Sequence, residues 1–114
     1  MGILAYAITP GLAQALDLPV EQGLLIAQIY RDSPAHKAGL RGGTRQVRVG
    51  NYRVMIGGDI ITAINGVAVD SMDSLIVYLE SKTAVGDTVE LSVIREGQPL
   101  TVRVELAARP ETAR

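Results

Sequence analysis

Few side chains in this sequence could take part in covalent chemistry. His36 is the only histidine and there is no cysteine, so neither a Cys–His metal site nor a thiol nucleophile can be assembled. The five serines stand in no Gly-x-Ser-x-Gly or Gly-Asp-Ser-Gly-Gly setting that would activate a hydroxyl. Gly57-Gly58-Asp59 is followed by no Gly-x-x-x-x-Gly-Lys phosphate loop. We therefore expect no catalytic residue, no metal and no cofactor, and an exposed surface position for His36.

Composition limits the partners that bulk charge could attract. The chain has 114 residues and a net charge of -1, so no overall field draws it to nucleic acid or to anionic lipid. No apolar run approaches the ~18 residues of a membrane span, and we expect no direct membrane insertion. A chain without cysteine is compatible with an extracytoplasmic bacterial location. Its length suits one domain that buries roughly two thirds of its unfolded surface.

Three helices that could position a binding site are predicted from capping signals. Thr9-Pro10 and Ser33-Pro34 each combine an N-cap residue with proline at the first helical position, which predicts short helices over about 10–16 and just after residue 33. Ser71 caps a longer predicted helix over about 72–82, in which apolar residues recur at helical spacing.

Strands are predicted from apolar runs, from alternation and from the turns that separate them. The pattern around Gly50-Asn51 favours a small hairpin, and Asn65-Gly66 is a strong two-residue turn signal. The main predicted strands cover 3–8, 24–30, 59–64, 67–69, 88–95 and 100–106. These elements predict an α+β fold, a small partly open β-barrel of five or six strands with one longer and two short helices.

Four segments form an ordered set along the chain: MGIL at 1–4, SPAHKAGL at 33–40, GGDIITAING at 57–66 and GDTVEL at 86–91. Together they resemble a PDZ domain, and more narrowly the bacterial HtrA/Deg branch, where such a domain follows a trypsin-like serine protease. The resemblance covers 1–108 as the PDZ domain and leaves 109–114 as a tail or linker remnant. It implies the circularly permuted bacterial topology, in which a strand over 100–106 flanks the Gly2 turn.

The resemblance implies a binding site for the carboxyl end of a polypeptide. In the family, a hydrophobic-Gly-hydrophobic turn before a strand directs successive backbone N–H groups at the terminal carboxylate, and such a nest supplies several donors. Gly2 fits this turn because glycine tolerates positive φ. Met1 and Ile3 would wall the pocket for the last side chain of the ligand. The strand that contains Leu4 and Ala5 would accept the ligand as an additional strand.

The long helix should form the other wall of the site. Its spacing predicts that Met72 and Ile76 look across the groove while Leu75 and Leu79 face the core. The alternative, that Met72 and Ile76 are simply core residues, stays open at this stage. An apolar pair at these positions predicts a preference for hydrophobic C-terminal residues.

Residues 37–58 concentrate positive charge. This stretch contains five basic residues and no acidic one: Lys37, Arg41, Arg45, Arg48 and Arg53. A solvated loop is one interpretation, and a docking surface for a protease domain or a neighbouring subunit is the other.

The predicted function is that of a peptide-binding PDZ module of an HtrA/Deg-like serine endopeptidase. It would bind C-terminal or unfolded polypeptide segments, and so tether substrate or regulate the protease domain of the same parent chain. We expect the chain to be a non-catalytic fragment of a longer periplasmic or otherwise extracytoplasmic protein with a role in protein quality control. The alternatives are a PDZ domain of a site-2 metalloprotease, a tail-processing peptidase or a secretion scaffold, or a stand-alone scaffold.

Overall fold

The computed structural model describes residues 1–107, which form eight strands and three helices. The strands are β1 (Ile3–Ala7), β2 (Leu24–Ile29), β3 (Arg45–Val49), β4 (Tyr52–Ile56), β5 (Ile60–Ile64), β6 (Val67–Ala68), β7 (Thr88–Arg95) and β8 (Gln98–Glu105). The helices are α1 (Pro10–Leu16), α2 (Pro34–Lys37) and α3 (Met72–Lys82). The predicted tail, 109–114, lies outside the described residues. No helix within 1–107 has the length and apolar character needed to cross a membrane.

The predicted helix starts are confirmed by their caps. Thr9 Oγ1 accepts a hydrogen bond from the Leu12 N–H at 3.1 Å, and Ser33 Oγ accepts one from the His36 N–H at 3.2 Å. At α3, Ser71 Oγ accepts from the Ser74 N–H at 3.0 Å, and the Ser74 hydroxyl in turn accepts from the Ser71 N–H. These side chains satisfy amide groups that have no partner within the first turn of a helix.

The main sheet is antiparallel and has the strand order β1-β2-β5-β7-β8, with β6 paired to β5. Its six strands agree with the predicted five or six, and the α+β fold class is confirmed. Strands β3 and β4 form a separate hairpin sheet. Its turn at Gly50-Asn51 follows the sequence prediction.

One topological expectation needs correction. The strand predicted over 100–106 begins earlier, because Glu96 and Gly97 both adopt positive φ and form a two-residue turn directly after Arg95. This strand, β8, pairs with β7 along its whole length, and no ladder within residues 1–107 joins it to β1. The two strands are therefore opposite edges of the sheet, and β8 does not flank the Gly2 turn by strand pairing.

Two hydrophobic clusters form the core. The first packs α3 and α2 against the main sheet and contains buried residues of five strands and both helices, among them Ile3, Leu24, Ile61, Leu75, Leu91 and Val104. The second lies under α1 and the β3–β4 hairpin and contains Ile8, Ala13, Leu25, Val54 and Ile60. Burial of such aliphatic side chains supplies the main stabilising free energy of a domain this size.

A charged pair fastens the end of β7 to the loop before β5. Asp59 is 1% exposed, and its carboxylate accepts hydrogen bonds from Arg95 Nε at 2.8 Å, Arg95 Nη2 at 2.7 Å and the Arg41 N–H at 3.1 Å. Arg95 also donates to the Gly39 carbonyl at 3.0 Å. The hydrogen bond to Asp59 is the main cause that raises the pKa of Arg95 above its ordinary value. The two residues are 36 positions apart, and the sequence did not predict that they would be partners.

Candidate functional site

A cleft of about 700 Å³ separates the beginning of β1 from α3. One wall is the turn that leads into β1, the opposite wall is the inner side of α3, and the end is closed by the loop before α2. The lining residues are Met1, Gly2, Ile3, Tyr30, Arg31, Asp32, Ser33, Pro34, Lys37, Met72, Leu75, Ile76, Leu79, Glu80 and Ala107. The cleft therefore joins the predicted turn to the predicted helix wall.

The turn at Gly2 has two separate requirements for glycine. Gly2 adopts φ +94°, a conformation that side chains other than glycine rarely tolerate. A Cβ at this position would also collide with the side chain of Ser33. The Gly2 carbonyl accepts a hydrogen bond from the Tyr30 N–H at 2.9 Å, and the Met1 carbonyl accepts one from the Ala35 N–H at 3.1 Å. The turn is thus held rigidly against the loop before α2 and against α2 itself.

Strand β1 offers an open edge to this cleft. Gly2 bonds to Tyr30 and Ile8 bonds to Gly23, and β2 is the only strand that pairs with β1 among the described residues. Because backbone groups alternate in direction along a strand, the N–H and C=O groups of Ile3 and Ala5 face away from β2. A register shift between Leu4 and Ala5 places a bulge in the ladder without closing the edge. Extended chain could therefore pair with Ile3 and Ala5.

The side chains of β1 divide between the two faces of the sheet. Ile3 is buried and lines the cleft, and Ala5 packs on the first core cluster but lies beyond the lining residues. Leu4 is 48% exposed on the opposite face. Of the residues predicted for the pocket, Met1, Gly2 and Ile3 line it, whereas Leu4 does not contribute its side chain to it.

Helix α3 supplies the apolar wall. Leu75 is 1% exposed and belongs to the first core cluster, as the helical spacing predicted. Met72 and Ile76 are half-buried and line the cleft, so the prediction that they look across the groove agrees with their position. Leu79 packs against the same cluster, as predicted, but it is half-buried and also lines the cleft.

Sequence reasoning missed the basic residues of the cleft. Among the described residues that line it, Arg31 and Lys37 are the cations, and both are exposed. Lys37 reaches the cleft because α2 starts beside the Gly2 turn, where Ala35 bonds to Met1. The Ser33-Pro34 cap predicted a short helix at this point of the sequence. It could not show that this helix packs on the Gly2 turn, because that contact joins residues far apart in the chain. His36 is exposed, and its Nδ1 accepts a hydrogen bond from the Asp32 N–H at 3.0 Å.

The described part of the chain contains no group of three or more His, Cys, Asp or Glu side chains that could hold a metal ion. The cleft offers backbone donors, an apolar wall, the two cations and the acidic side chains of Asp32 and Glu80.

The comparisons with known proteins agree with this architecture. The sequence pattern of the PDZ domain family matches residues 11–106, and the chain belongs to that family. The match begins after the Gly2 turn, so the family assignment does not depend on the turn.

Its relatives are PDZ-containing periplasmic proteases. The chain is 29% identical over 110 residues to a probable periplasmic serine endoprotease DegP-like of Hahella chejuensis, an alignment that covers 96% of this chain and 20% of the relative. It is 29% identical over 106 residues to the periplasmic pH-dependent serine endoprotease DegQ of Escherichia coli K12, covering 93% and 20%. The chain thus spans about a fifth of these relatives and is homologous to their PDZ domains. Their periplasmic names support an extracytoplasmic location of the parent protein.

Solved structures of the same type share the fold. The HtrA-type protease AlgW with decapeptide superposes with a TM-score of 0.69 at 27% identity, covering 96% of this chain and 29% of that one. The HtrA3 PDZ domain bound to a phage-derived ligand superposes with a TM-score of 0.67 at 23% identity, covering 92% and 81%, and supports the fold alone.

Proposed function

We propose that this domain binds the carboxyl end or an extended segment of a polypeptide by adding it as a strand to the open edge of β1. The observation that carries the proposal is the position of that edge, which faces the apolar wall of α3 and ends at the Gly2 turn. Backbone hydrogen bonds to Ile3 and Ala5 would supply affinity for any sequence, and the pocket would select the last side chain.

The terminal carboxylate would lie at the Gly2 turn. The backbone N–H groups of the turn that lead up to Ile3 are the proposed donors, and glycine allows a ligand to approach them closely. Leu4 and Ala5 would take part through the strand to which they belong. Met1, Ile3, Met72 and Ile76 would contact the last side chain, which favours an apolar residue such as Val or Leu.

Lys37 and Arg31 would complement the negative charge of that carboxylate. Both line the cleft near the Gly2 turn, and neither forms an ion pair with another described residue. The acidic side chains of the lining, Asp32 and Glu80, would oppose an acidic ligand residue. The charge distribution therefore favours one carboxylate at the end of the cleft over acidic side chains along it.

In the parent protein, the domain would be the peptide-binding module of a serine endopeptidase of the HtrA/Deg type. This part of the proposal rests on the similarity to periplasmic serine endoproteases, of which the chain covers about a fifth. The domain proper would comprise 1–108, and its partners would be unfolded or signal polypeptides and the protease domain of the same chain. Ligand occupancy would tether a substrate or shift the protease toward its active state.

A pair of peptides tests the carboxylate. A pentapeptide that ends in Val is titrated by calorimetry as the free acid and as the C-terminal amide. The acid should bind in the micromolar range, about -8 kcal/mol, because ordering a flexible strand offsets part of the contact energy. The amide should bind at least about tenfold more weakly, since it loses charge-assisted hydrogen bonds. Equal affinities would refute the role of the Gly2 turn.

A further inference from the structure

The β3–β4 hairpin has one apolar and one charged face. Residues on one face pack on the second core cluster, with Val54 6% exposed and Val47, Val49 and Ile56 half-buried beside it. Residues on the other face alternate with them, and Arg48 lies directly opposite Arg53 in the ladder. Both arginines are exposed. We call Arg48 and Arg53, which share this face, the arginine face. Arg45 and Tyr52 are also exposed, but they stand opposite Ile56 and Val49 and belong to the apolar face.

This arrangement opposes the stability of the hairpin. Like charges directly opposite each other on antiparallel strands are destabilising, and salt bridges to neighbouring acids would be the usual compensation. Arg45, Arg48 and Arg53 form no ion pair with any described residue, although Arg41, Arg95 and Arg103 each have one. Residues 37–58 contain no acidic side chain that could move toward them. The hairpin therefore carries two opposed charges that its own fold does not use.

We propose that the arginine face is a docking surface for a carboxylate-rich segment of another protein. Each guanidinium can bind a carboxylate through two parallel hydrogen bonds, and two adjacent guanidiniums would place two acidic side chains side by side. Arginine is enriched at protein interfaces, so the composition of the face fits a protein partner.

The number and setting of the charges distinguish this partner from other anions. A nucleic-acid interface commonly neutralises six to ten phosphates, roughly, and a membrane-binding basic cluster contains about four to eight cations. The arginine face has two, on a chain whose net charge is -1. A long polyanion would meet the acidic residues of the rest of the domain, whereas a short acidic segment would contact the hairpin alone.

The proposed surface is independent of the peptide cleft. None of the residues that line the cleft belongs to the hairpin, and the hairpin packs on the second core cluster while α3 packs on the first. A parent protein could thus dock an acidic segment while the cleft stays open to a ligand.

An acidic probe with blocked ends tests the proposal. The ¹⁵N-labelled domain is titrated at low ionic strength with the N-acetylated, C-amidated peptide Gly-Glu-Glu-Gly-Glu-Glu-Gly-Glu-Glu-Gly, and with the same peptide carrying Gln for Glu. The amide prevents the carboxyl end from occupying the cleft, so failure of this test is distinct from failure of the proposed function. We expect chemical-shift changes confined to residues 45–56, with the Glu peptide only, and a strong decrease in affinity with salt.

Charge-matched double variants complete the test. The Arg48→Gln/Arg53→Gln variant should bind the Glu peptide about tenfold more weakly, since each exposed charge pair contributes a factor of about two to five. Its melting temperature should equal or exceed that of the wild type, because two opposed charges are removed. The Lys82→Gln/Arg103→Gln variant changes the net charge equally and should bind like the wild type.

Each other outcome overturns the proposal. If both double variants bind the Glu peptide equally weakly, net charge alone explains the binding. If the hairpin shows no chemical-shift changes at millimolar peptide, the hairpin does not bind it. A lower melting temperature of Arg48→Gln/Arg53→Gln would show that the pair stabilises the hairpin, which contradicts the premise. Tighter binding of a single-stranded oligonucleotide or of anionic phospholipid vesicles at the hairpin would identify a different class of partner. Sedimentation that detects dimers in the wild type alone would identify a second copy.

Discussion

The two edges of the main sheet differ in how readily each could accept another strand. The β8 edge contains Pro99, which has no N–H to donate, and the charged Arg103 and Glu105, and α2 contacts this strand. The β1 edge, ILAYA, contains neither proline nor charge. Proline and charge are the features by which proteins prevent unwanted pairing at sheet edges. The fold thus protects one edge and leaves the other available, and the available edge is the one that faces an apolar helix wall.

The largest expected effect concerns the wall opposite β1. Leu75→Asp should destabilise the domain by about 4 kcal/mol or more, because it forces an unpaired charge into the first core cluster. Ile76→Asp on the same helix should leave the fold intact, since a half-buried cleft residue is partly solvated before ligand binds, and should change the preferred C-terminal residue. Thermal melts and peptide titrations of both variants check this. An unfolded Ile76 variant beside a folded Leu75 variant with altered specificity would reverse the assigned helix faces.

The next effect concerns the ion pair between Arg95, at the end of β7, and Asp59, in the loop before β5. Arg95→Leu should cost about 3 kcal/mol, because it leaves the Asp59 carboxylate buried without its partner. The pKa of Arg95 is raised in the folded state. The contribution of its charge to the free energy of unfolding is therefore complete at any pH below the ordinary pKa of arginine, and it is lost only as the pH rises through the raised pKa. Arginine thus remains charged throughout the neutral and moderately alkaline range. Denaturant unfolding of both proteins measures the difference, and a loss under about 1 kcal/mol would show that the pair is dispensable.

Substitutions at Gly2 and Gly97 allow a comparison of the turns that lead into the two edge strands. Both glycines adopt positive φ, but a Cβ at Gly2 collides with Ser33, whereas nothing lies within 4 Å of a Cβ at Gly97. Gly2→Ala should therefore cost about 2–3 kcal/mol and weaken peptide binding at least about tenfold, and Gly97→Ala should cost about 1 kcal/mol with binding unchanged. Melting temperatures and peptide affinities of both variants check this. If both substitutions change peptide affinity equally, the Gly2 turn is not part of the binding site.

The smallest expected effect concerns the charge at the end of the cleft. Lys37→Met should weaken binding of the free-acid peptide by a factor of about three to five, because the charge is exposed and screened. The amide should bind the variant and the wild type equally. Lys82→Met, at the end of α3 and outside the cleft lining, is the control. If the variant binds both the free acid and the amide more weakly, Lys37 contributes by packing and not through its charge.

Much of this fold could be predicted from local signals in the sequence. The caps at Thr9, Ser33 and Ser71 and the turn at Asn65-Gly66 depend on neighbouring residues, and the structure confirms them. Spacing also predicted that Leu75 is buried and that Met72 and Ile76 face the groove. These features follow from helix geometry alone.

The remaining features depend on contacts that sequence separation conceals. Arg95 meets Asp59 across 36 positions, and Lys37 reaches the cleft only because α2 docks on the Gly2 turn. Leu79 faces the core as predicted, but spacing could not show that it also lines the cleft, because it gives a helix face and not the width of the neighbouring cleft. The separation of β8 from β1 in the sheet could not be derived, because strand patterns do not specify their partners.

The most direct test of the account is amide hydrogen exchange with and without saturating free-acid peptide. If the ligand adds to β1, the amides of Ile3 and Ala5, which face the open edge, should exchange at least about tenfold more slowly in the complex. The amides of β8 should change no more than the domain as a whole. Protection that appears on β8 instead of β1, or tight binding that leaves Ile3 and Ala5 unprotected, would contradict strand addition at the open edge.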